Sequence, residues 1–381
     1  MEMAEEYKTE NIFKSIDWAL EKFKGETSKC NILITGKAGV GKSTLINSIF
    51  RENIAPTGIG RPVHINQSGY TFYEKDDIPI RVYDTEGIEL NNSQQDRLLQ
   101  NLSTLVRNER VTDIKDRVHI IWYCVHAASR RLEEGEEQFI NKLSLSCAPE
   151  VPVIIVLTQS ERKKAARDFQ NVIQDIFKGN PRVKAVIPIL AETVEEDDFI
   201  IESYGLDNLC KVTAEIIPEA VKNSFINSLK KGVELKVEKA NKIVNRYVGI
   251  TSLTGGGAGV AGVDDSLALM GIQIAMFVEI GFLFGLKLDK SRLISICSSA
   301  VGTMAASAVG KTLFSQALRF IPVAGQMVAL IEGGVRAGIA GTVTKGVGSA
   351  YVSVMKRLAD GEINEDSIEN EIVKIIKNSK K

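Results

Sequence analysis

The chain has 381 residues, with 47 Lys and Arg against 48 Asp and Glu and a formal net charge of −1. That length can hold two domains with sizeable cores, and the near-neutral balance excludes a global basic surface, which argues against nucleic acid as a partner. Five scattered cysteines (Cys30, Cys124, Cys147, Cys210, Cys297) lack metal-ligand spacing and read as buried reduced thiols, and the three histidines (His64, His119, His126) are too dispersed for a zinc site.

At the N-terminus Ile12, Phe13, Ile16, Ala19, Leu20 and Phe23 recur at helical spacing, which predicts a helix over residues 1–28 that packs on the next domain. This start is acidic and lacks the basic residues and apolar core of a signal peptide. The expected location is therefore the cytoplasm, free or peripheral at a membrane.

From residue 29 to about 205, apolar runs alternate with polar helical segments. The strand candidates are CNILITG, SGYTFYE, IPIRVYD, VHIIWYCVHA, VPVIIVLT and VKAVIPIL. Helices are expected over Lys42–Arg51, Ser93–Arg107, Glu134–Leu145 and Glu161–Phe177. This alternation predicts an α/β domain with a mostly parallel six-stranded sheet and helices on both faces.

The firmest signal is GKAGVGKST, Gly36 to Thr44. It fits G-x-x-x-x-G-K-[ST] between an apolar run and a helical one, the context a phosphate-binding loop requires. The residues Gly36, Lys37, Ala38, Gly39, Val40, Gly41, Lys42, Ser43 and Thr44 would wrap phosphates with backbone N–H groups at a helix N-terminus. Lys42 would meet β- and γ-phosphate oxygens and the Ser43 hydroxyl would hold Mg²⁺. About forty residues on, IPIRVYDTEG ends in D-x-x-G. Asp84 would hold Mg²⁺ through water, and the Gly87 N–H would meet the γ-phosphate and sense its loss.

The run VPVIIVLTQSE, Val151 to Glu161, closes an apolar strand on Thr158, Gln159 and Glu161. A carboxylate here can accept hydrogen bonds from guanine N1 and N2, whereas adenine offers it an acceptor. Gln159 has a flexible stem able to cover a base. The alternative is that Glu161 is only the first-turn acid of the next helix.

Together, the P-loop, DTEG and LTQSE resemble an Era-like GTPase domain of the translation-factor-related class over roughly residues 29–215. GRPVH (Gly60–His64) looks like the switch stretch of that group, and IIWYCVHAASRR like the strand after its second switch. The resemblance implies GTP and GDP with Mg²⁺ as cofactors and GTP hydrolysis as the activity, with Lys42, Asp84 and Gly87 in the catalytic set. It also implies that Gln159 stands where the family's base-reading motif has Lys and Glu161 where it has Asp, that the Ala191 backbone N–H reaches guanine O6, and a homodimer through the GTPase domain as one solution. The chain departs from the family at His64, where a switch Thr would ligate Mg²⁺; Thr57 and Thr71 are the substitutes within reach. Ile88 stands where Ras-like proteins carry the water-orienting Gln, and even with that Gln intrinsic turnover is only about 10⁻⁴ s⁻¹, so slow hydrolysis is expected. Arg130 and Arg131 are either charge stabilisers or a solvated pair.

From residue 206 to 381 the chain reads as all-α. Residues 251–350 hold 17 of the 31 glycines and 12 charged side chains, about half the charge density of the whole chain. Such composition suits helices that approach closely, in water or in lipid. The residues IPEAVKNSF, VDDSLALMGIQIAMFVEIGFLFG and FIPVAGQMVALIEGGVRAGIAG resemble the helical domain of unknown function that succeeds Era-like GTPase domains in many bacterial proteins. Asp265, Leu269, Gln273 and Met276 share a helix face that suits packing. Leu267–Leu286 contains Gln273 and Glu279, and Leu293–Gly310 is uncharged at barely spanning length. The expectation is a nucleotide-dependent switch whose helical domain engages a membrane or a protein partner, with a dynamin-like or pore-like effector as the alternative.

Overall fold

The computed structural model describes residues 29–51, 53–55, 70–75, 78–85, 92–106, 117–196, 199–254, 265–286, 292, 295–296 and 333–378. The expected N-terminal helix lies outside them. Two compact units divide the chain, and the described part of the first ends at Gly232.

In the first unit, six apolar runs of six to eight residues become one sheet: β1 (Cys30–Gly36), β2 (Tyr70–Lys75), β3 (Ile78–Thr85), β4 (Ile120–His126), β5 (Val153–Thr158) and β6 (Val183–Pro188). The spatial order is β2-β3-β1-β4-β5-β6. Every neighbouring pair is parallel except β2 and β3. Strands β1 and β5 are buried along their whole length and β4 up to His126, as expected for parallel strands covered on both faces.

Helices α1 (Lys42–Ile49), α2 (Asn92–Val106), α3 (Glu134–Asn141) and α4 (Lys163–Ile176) match the expected segments. On one face of the sheet Leu33, Tyr123, Val125, Ile155 and Leu157 pack with Leu98 and Leu102 of α2, Phe139 and Ile140 of α3, and Phe169 and Ile173 of α4. Helix α3 continues into one wide π turn, Lys142–Cys147. There the buried Ser144 hydroxyl donates to the Ile140 carbonyl at 2.7 Å and accepts from Asn180 Nδ2 at 2.9 Å.

The other face is closed by helices that the sequence places in the second domain. Trp122 stacks on Phe50 (centroids 6.1 Å apart, planes 6° apart). It also meets Phe225 of α6 (Glu219–Ser228) edge-on at 6.5 Å, and its Nε1 donates to Thr213 Oγ1 of α5 (Leu206–Ile216) at 3.2 Å. A sheet with two apolar faces needs both covered, so the first unit runs past the expected boundary at residue 206 to Gly232. A short hairpin, β7 (Val194–Glu196) and β8 (Phe199–Ile201), adds a feature absent from the sequence expectation.

The second unit holds α7 (Val233–Thr254), α8 (Asp265–Phe284), α9 (Gly333–Ala359) and α10 (Ile368–Asn378). Two of its glycines, Gly341 and Gly348, are contact points. A Cβ on Gly341 would sit 2.4 Å from Ser252 Oγ, and one on Gly348 would sit 2.9 Å from the Val244 methyls. Phe277 of α8 meets Tyr351 of α9 edge-on at 4.8 Å. Two polar residues of α8 pair with neighbouring helices: Gln273 Nε2 donates to Thr344 Oγ1 at 3.3 Å, and Glu279 pairs with Arg246 of α7. No helix among the described residues is long and apolar enough to cross a membrane.

Candidate functional site

The strand order reverses about β1, and the candidate residues gather at the carboxyl ends of the parallel strands, where open α/β sheets bind ligands. Residues 36–41 carry the chain from β1 into α1. Gly36 has φ 142°, and a Cβ there would lie 2.3 Å from the Cys124 carbonyl oxygen, so any side chain is excluded. Gly39 (φ 74°) and Gly41 (φ 90°) hold the left-handed conformations that curl the loop. Lys42 Nζ donates back to the carbonyls of Gly36 at 3.2 Å and Lys37 at 3.1 Å, fixing the ammonium inside the loop. Ser43 and Thr44 occupy the first turn of α1, which carries no acidic side chain, so the positive end of the helix is uncompensated. Val40 is buried and Ala38 exposed.

Asp84 lies near the end of β3, opposite Ile34 of β1 and Thr71 of β2. Its Oδ1 is buried with no hydrogen-bond partner. Burial pushes this carboxyl up to about 6 from the ordinary 3.8, while the nearby Lys42 ammonium acts in the opposite direction. Beneath it, Thr85 Oγ1 donates to Thr35 Oγ1 at 2.8 Å in a buried contact. A buried, unpartnered oxygen donor beside a phosphate loop fits a hard divalent cation such as Mg²⁺. Thr71 is a strand residue whose hydroxyl is directed to Tyr73. Thr57, His64, Gly87 and Ile88 lie outside the described residues.

At the other end of the loop, β5 stops at Thr158 and Gln159 turns into the left-handed region, φ 53°. Gln159 Nε2 donates to the Gly39 carbonyl at 3.0 Å, and Gln159 Oε1 lies 3.0 Å from His126 Nε2. The Thr158 hydroxyl is turned back to the Val125 carbonyl at 3.1 Å. Glu161 is exposed and stands two residues before α4, which begins at Lys163 with no acid in its first turn. The stretch is held against the end of β6: Ser160 N donates to the Ile189 carbonyl at 3.0 Å, and Tyr204 OH donates to the Ser160 carbonyl at 2.6 Å. Ala191, half-buried, comes two residues beyond Ile189.

Two features escaped the sequence reading. Lys37 reaches across to α3, with Nζ 3.0 Å from Glu133 and 3.1 Å from Glu136. Glu136 is buried, which raises its carboxyl, with Lys37 opposing the rise, and Tyr123 OH contacts it at 3.5 Å. His126 is the other, a polar residue closing an otherwise apolar strand; that position at a strand's carboxyl end was the available signal. Arg130 and Arg131 are exposed, Arg130 with φ 49°.

With this geometry in view, residues 31–159 match the family model of the 50S ribosome-binding GTPases. The fold is that of a P-loop GTPase domain. Mouse (Mus musculus) septin-9 is 27% identical over 179 residues, covering 39% of this chain and 30% of the septin. The chain thus spans less than a third of that relative. Among solved structures, Aquifex aeolicus Era bound to GDP and AlF4⁻ is 20% identical and covers 50% of this chain and 57% of Era, with a TM-score of 0.34. LeoA, a bacterial dynamin GTPase from ETEC, covers 98% of this chain and 94% of its own at 10% identity and a TM-score of 0.34.

Proposed function

We propose that this chain binds GTP and GDP with Mg²⁺, hydrolyses GTP slowly, and acts as a nucleotide-dependent switch. The observation that carries this reading is the pairing of a closed P-loop around Lys42 with the buried, unpartnered Asp84 oxygen on the neighbouring strand.

Each residue has a task. The N–H groups of residues 36–44 surround the phosphates. Lys42 exchanges its loop carbonyls for β- and γ-phosphate oxygens, and Ser43 Oγ and Asp84 hold the cation, Asp84 through water. A Mg²⁺ ion held by Ser43 and Asp84 would supply positive charge to offset the negative charge that develops in phosphoryl transfer. Glu161 accepts from guanine N1 and N2, Gln159 lies along the loop beside the base, and the Ala191 N–H meets guanine O6. Glu161 supports guanine because it stands outside α4 and is free to face a ligand.

Gly87 senses the γ-phosphate in this scheme, and the helical unit carries the nucleotide state to a protein or membrane partner. A homodimer through the GTPase face is a compatible assembly. In the second reading, a membrane-acting effector, the helices themselves act on lipid; the Gly-rich, charge-poor composition of residues 251–350 is what favours it.

Phosphate release from radiolabelled GTP tests the enzyme reading. The wild type turns over slowly, and Lys42→Ala neither binds nor hydrolyses; unchanged GTP affinity in that variant would overturn the proposal. Co-sedimentation with liposomes, with and without GMPPNP, separates the two readings. Nucleotide-dependent pelleting accompanied by dye release or deformation of the liposomes selects the effector; binding that leaves the liposomes intact, or no binding, selects the switch.

A further inference from the structure

The amide of Gln159 is tied at both ends, and the second tie comes from a residue with no assigned role. A backbone carbonyl can only accept, so the contact with Gly39 requires the amide nitrogen to face the P-loop. Gln159 Oε1 is thereby turned to His126 Nε2, 3.0 Å away, and an oxygen acceptor there requires Nε2 to carry the proton. The amide nitrogen then sits beside the loop at Gly41, 3.5 Å from where a Cβ on that glycine would be. The His126 backbone is fixed at the end of β4. It pairs with Thr158 in the β4–β5 register, and its carbonyl accepts from Ser129 Oγ at 2.8 Å.

We propose that His126 is a positioning residue for the nucleotide base, acting through Gln159. The proposal rests on the guanine-nucleotide reading above and adds to it a residue required by the replacement of Lys with Gln at position 159. A lysine ammonium offers three equivalent donors and reaches a loop carbonyl whichever way it rotates. A glutamine amide has one donor end and one acceptor end. Flipped, it would set its oxygen against the Gly39 carbonyl and lose the contact. The His126 N–H removes that flipped state by holding Oε1 on the far side. Gln159 and His126 together thus do at the base what one lysine does alone, and His126 has no task if residue 159 is Lys.

The test is a double-mutant cycle, with the affinity of the full chain for GMPPNP in Mg²⁺ measured by calorimetry. His126→Ala is expected to weaken binding about five-fold, the worth of one neutral hydrogen bond at the site. His126→Gln, which presents an amide N–H at similar reach, is expected to restore binding to within about two-fold. In a Gln159→Lys background, His126→Ala is expected to change affinity by less than about two-fold. An equal loss in both backgrounds would mean that His126 acts on folding or on the site by itself, and would overturn the proposal. No loss in His126→Ala would overturn it as well. A wild type that binds no guanine nucleotide would instead sink the nucleotide reading, and this inference with it.

Discussion

Replacing Asp84 by Asn should make the metal-free protein more stable and the nucleotide-bound protein weaker. The carboxyl's Oδ1 is buried without a partner, and burial raises its pKa from 3.8 to about 6. Between those values the folded state binds more protons at this group than the unfolded state, so stability falls as pH rises through that window. The loss is complete above the folded value, and about 2.2 units at 1.36 kcal/mol each give about 3 kcal/mol. An Asn never ionises, so in EDTA at about pH 7.5 Asp84→Asn should exceed the wild type by up to about 3 kcal/mol, less what the amide loses by its own unmet hydrogen bonds. At about pH 4.5, less than one pH unit above the unfolded value, most of the penalty has yet to accrue, and the gap should shrink to about 1 kcal/mol. Urea unfolding followed by Trp122 fluorescence, in a Trp18→Phe background, reads the sheet-bearing unit. Adding GMPPNP and Mg²⁺ should reverse the order, because only the carboxylate serves the cation. A variant no more stable than the wild type in EDTA, or a gap independent of pH, would refute the reasoning.

Gly36→Ala should lower the thermal midpoint sharply or prevent soluble expression, since its Cβ would meet the Cys124 carbonyl oxygen at 2.3 Å with φ at 142°; a loss of about 3 kcal/mol or more is expected by urea unfolding. Lys37→Ala leaves the buried Glu136 without its cation. It should cost about 1–3 kcal/mol near pH 7 and less in more acidic buffer, because burial raises the Glu136 carboxyl and protonation removes the unpaired charge, as paired melts at two pH values would record. In the helical unit Gly348→Val forces a side chain against Val244 and Met276 and should cost about 1–3 kcal/mol by circular dichroism melts, with GTP affinity unchanged.

The sheet was legible because its central strands β1, β4 and β5 are mostly apolar and separated by polar helical segments, and the phosphate loop because Gly36, Gly39, Gly41 and Lys42 are demanded by backbone geometry and charge at fixed spacing. The boundary at residue 206 was not legible. The helices after it share the charge-rich pattern of α7, and only the sheet's second face around Trp122 shows what they cover. The role of Glu161 was ambiguous in sequence because an acid before a helix suits both a helix-start charge and a ligand; the structure places it one residue before the N-cap position, Arg162. The links from Lys37 to Glu136 and from Gln159 to His126 join residues 99 and 33 apart in the chain, a distance that no local pattern spans. The glycines of residues 251–350 fitted lipid or water equally well in sequence. Contacts at Gly341 and Gly348, and the pairing of Gln273 and Glu279, assign those positions to close helix packing.

The most direct measurement is calorimetric titration of the full chain with GTP, GDP and ATP in Mg²⁺. The account predicts saturable binding of GTP and GDP, none of ATP, and loss of that discrimination in Glu161→Ala. Binding of ATP as tight as that of GTP would contradict it, because the carboxylate at the end of β5 would then not be reading the base.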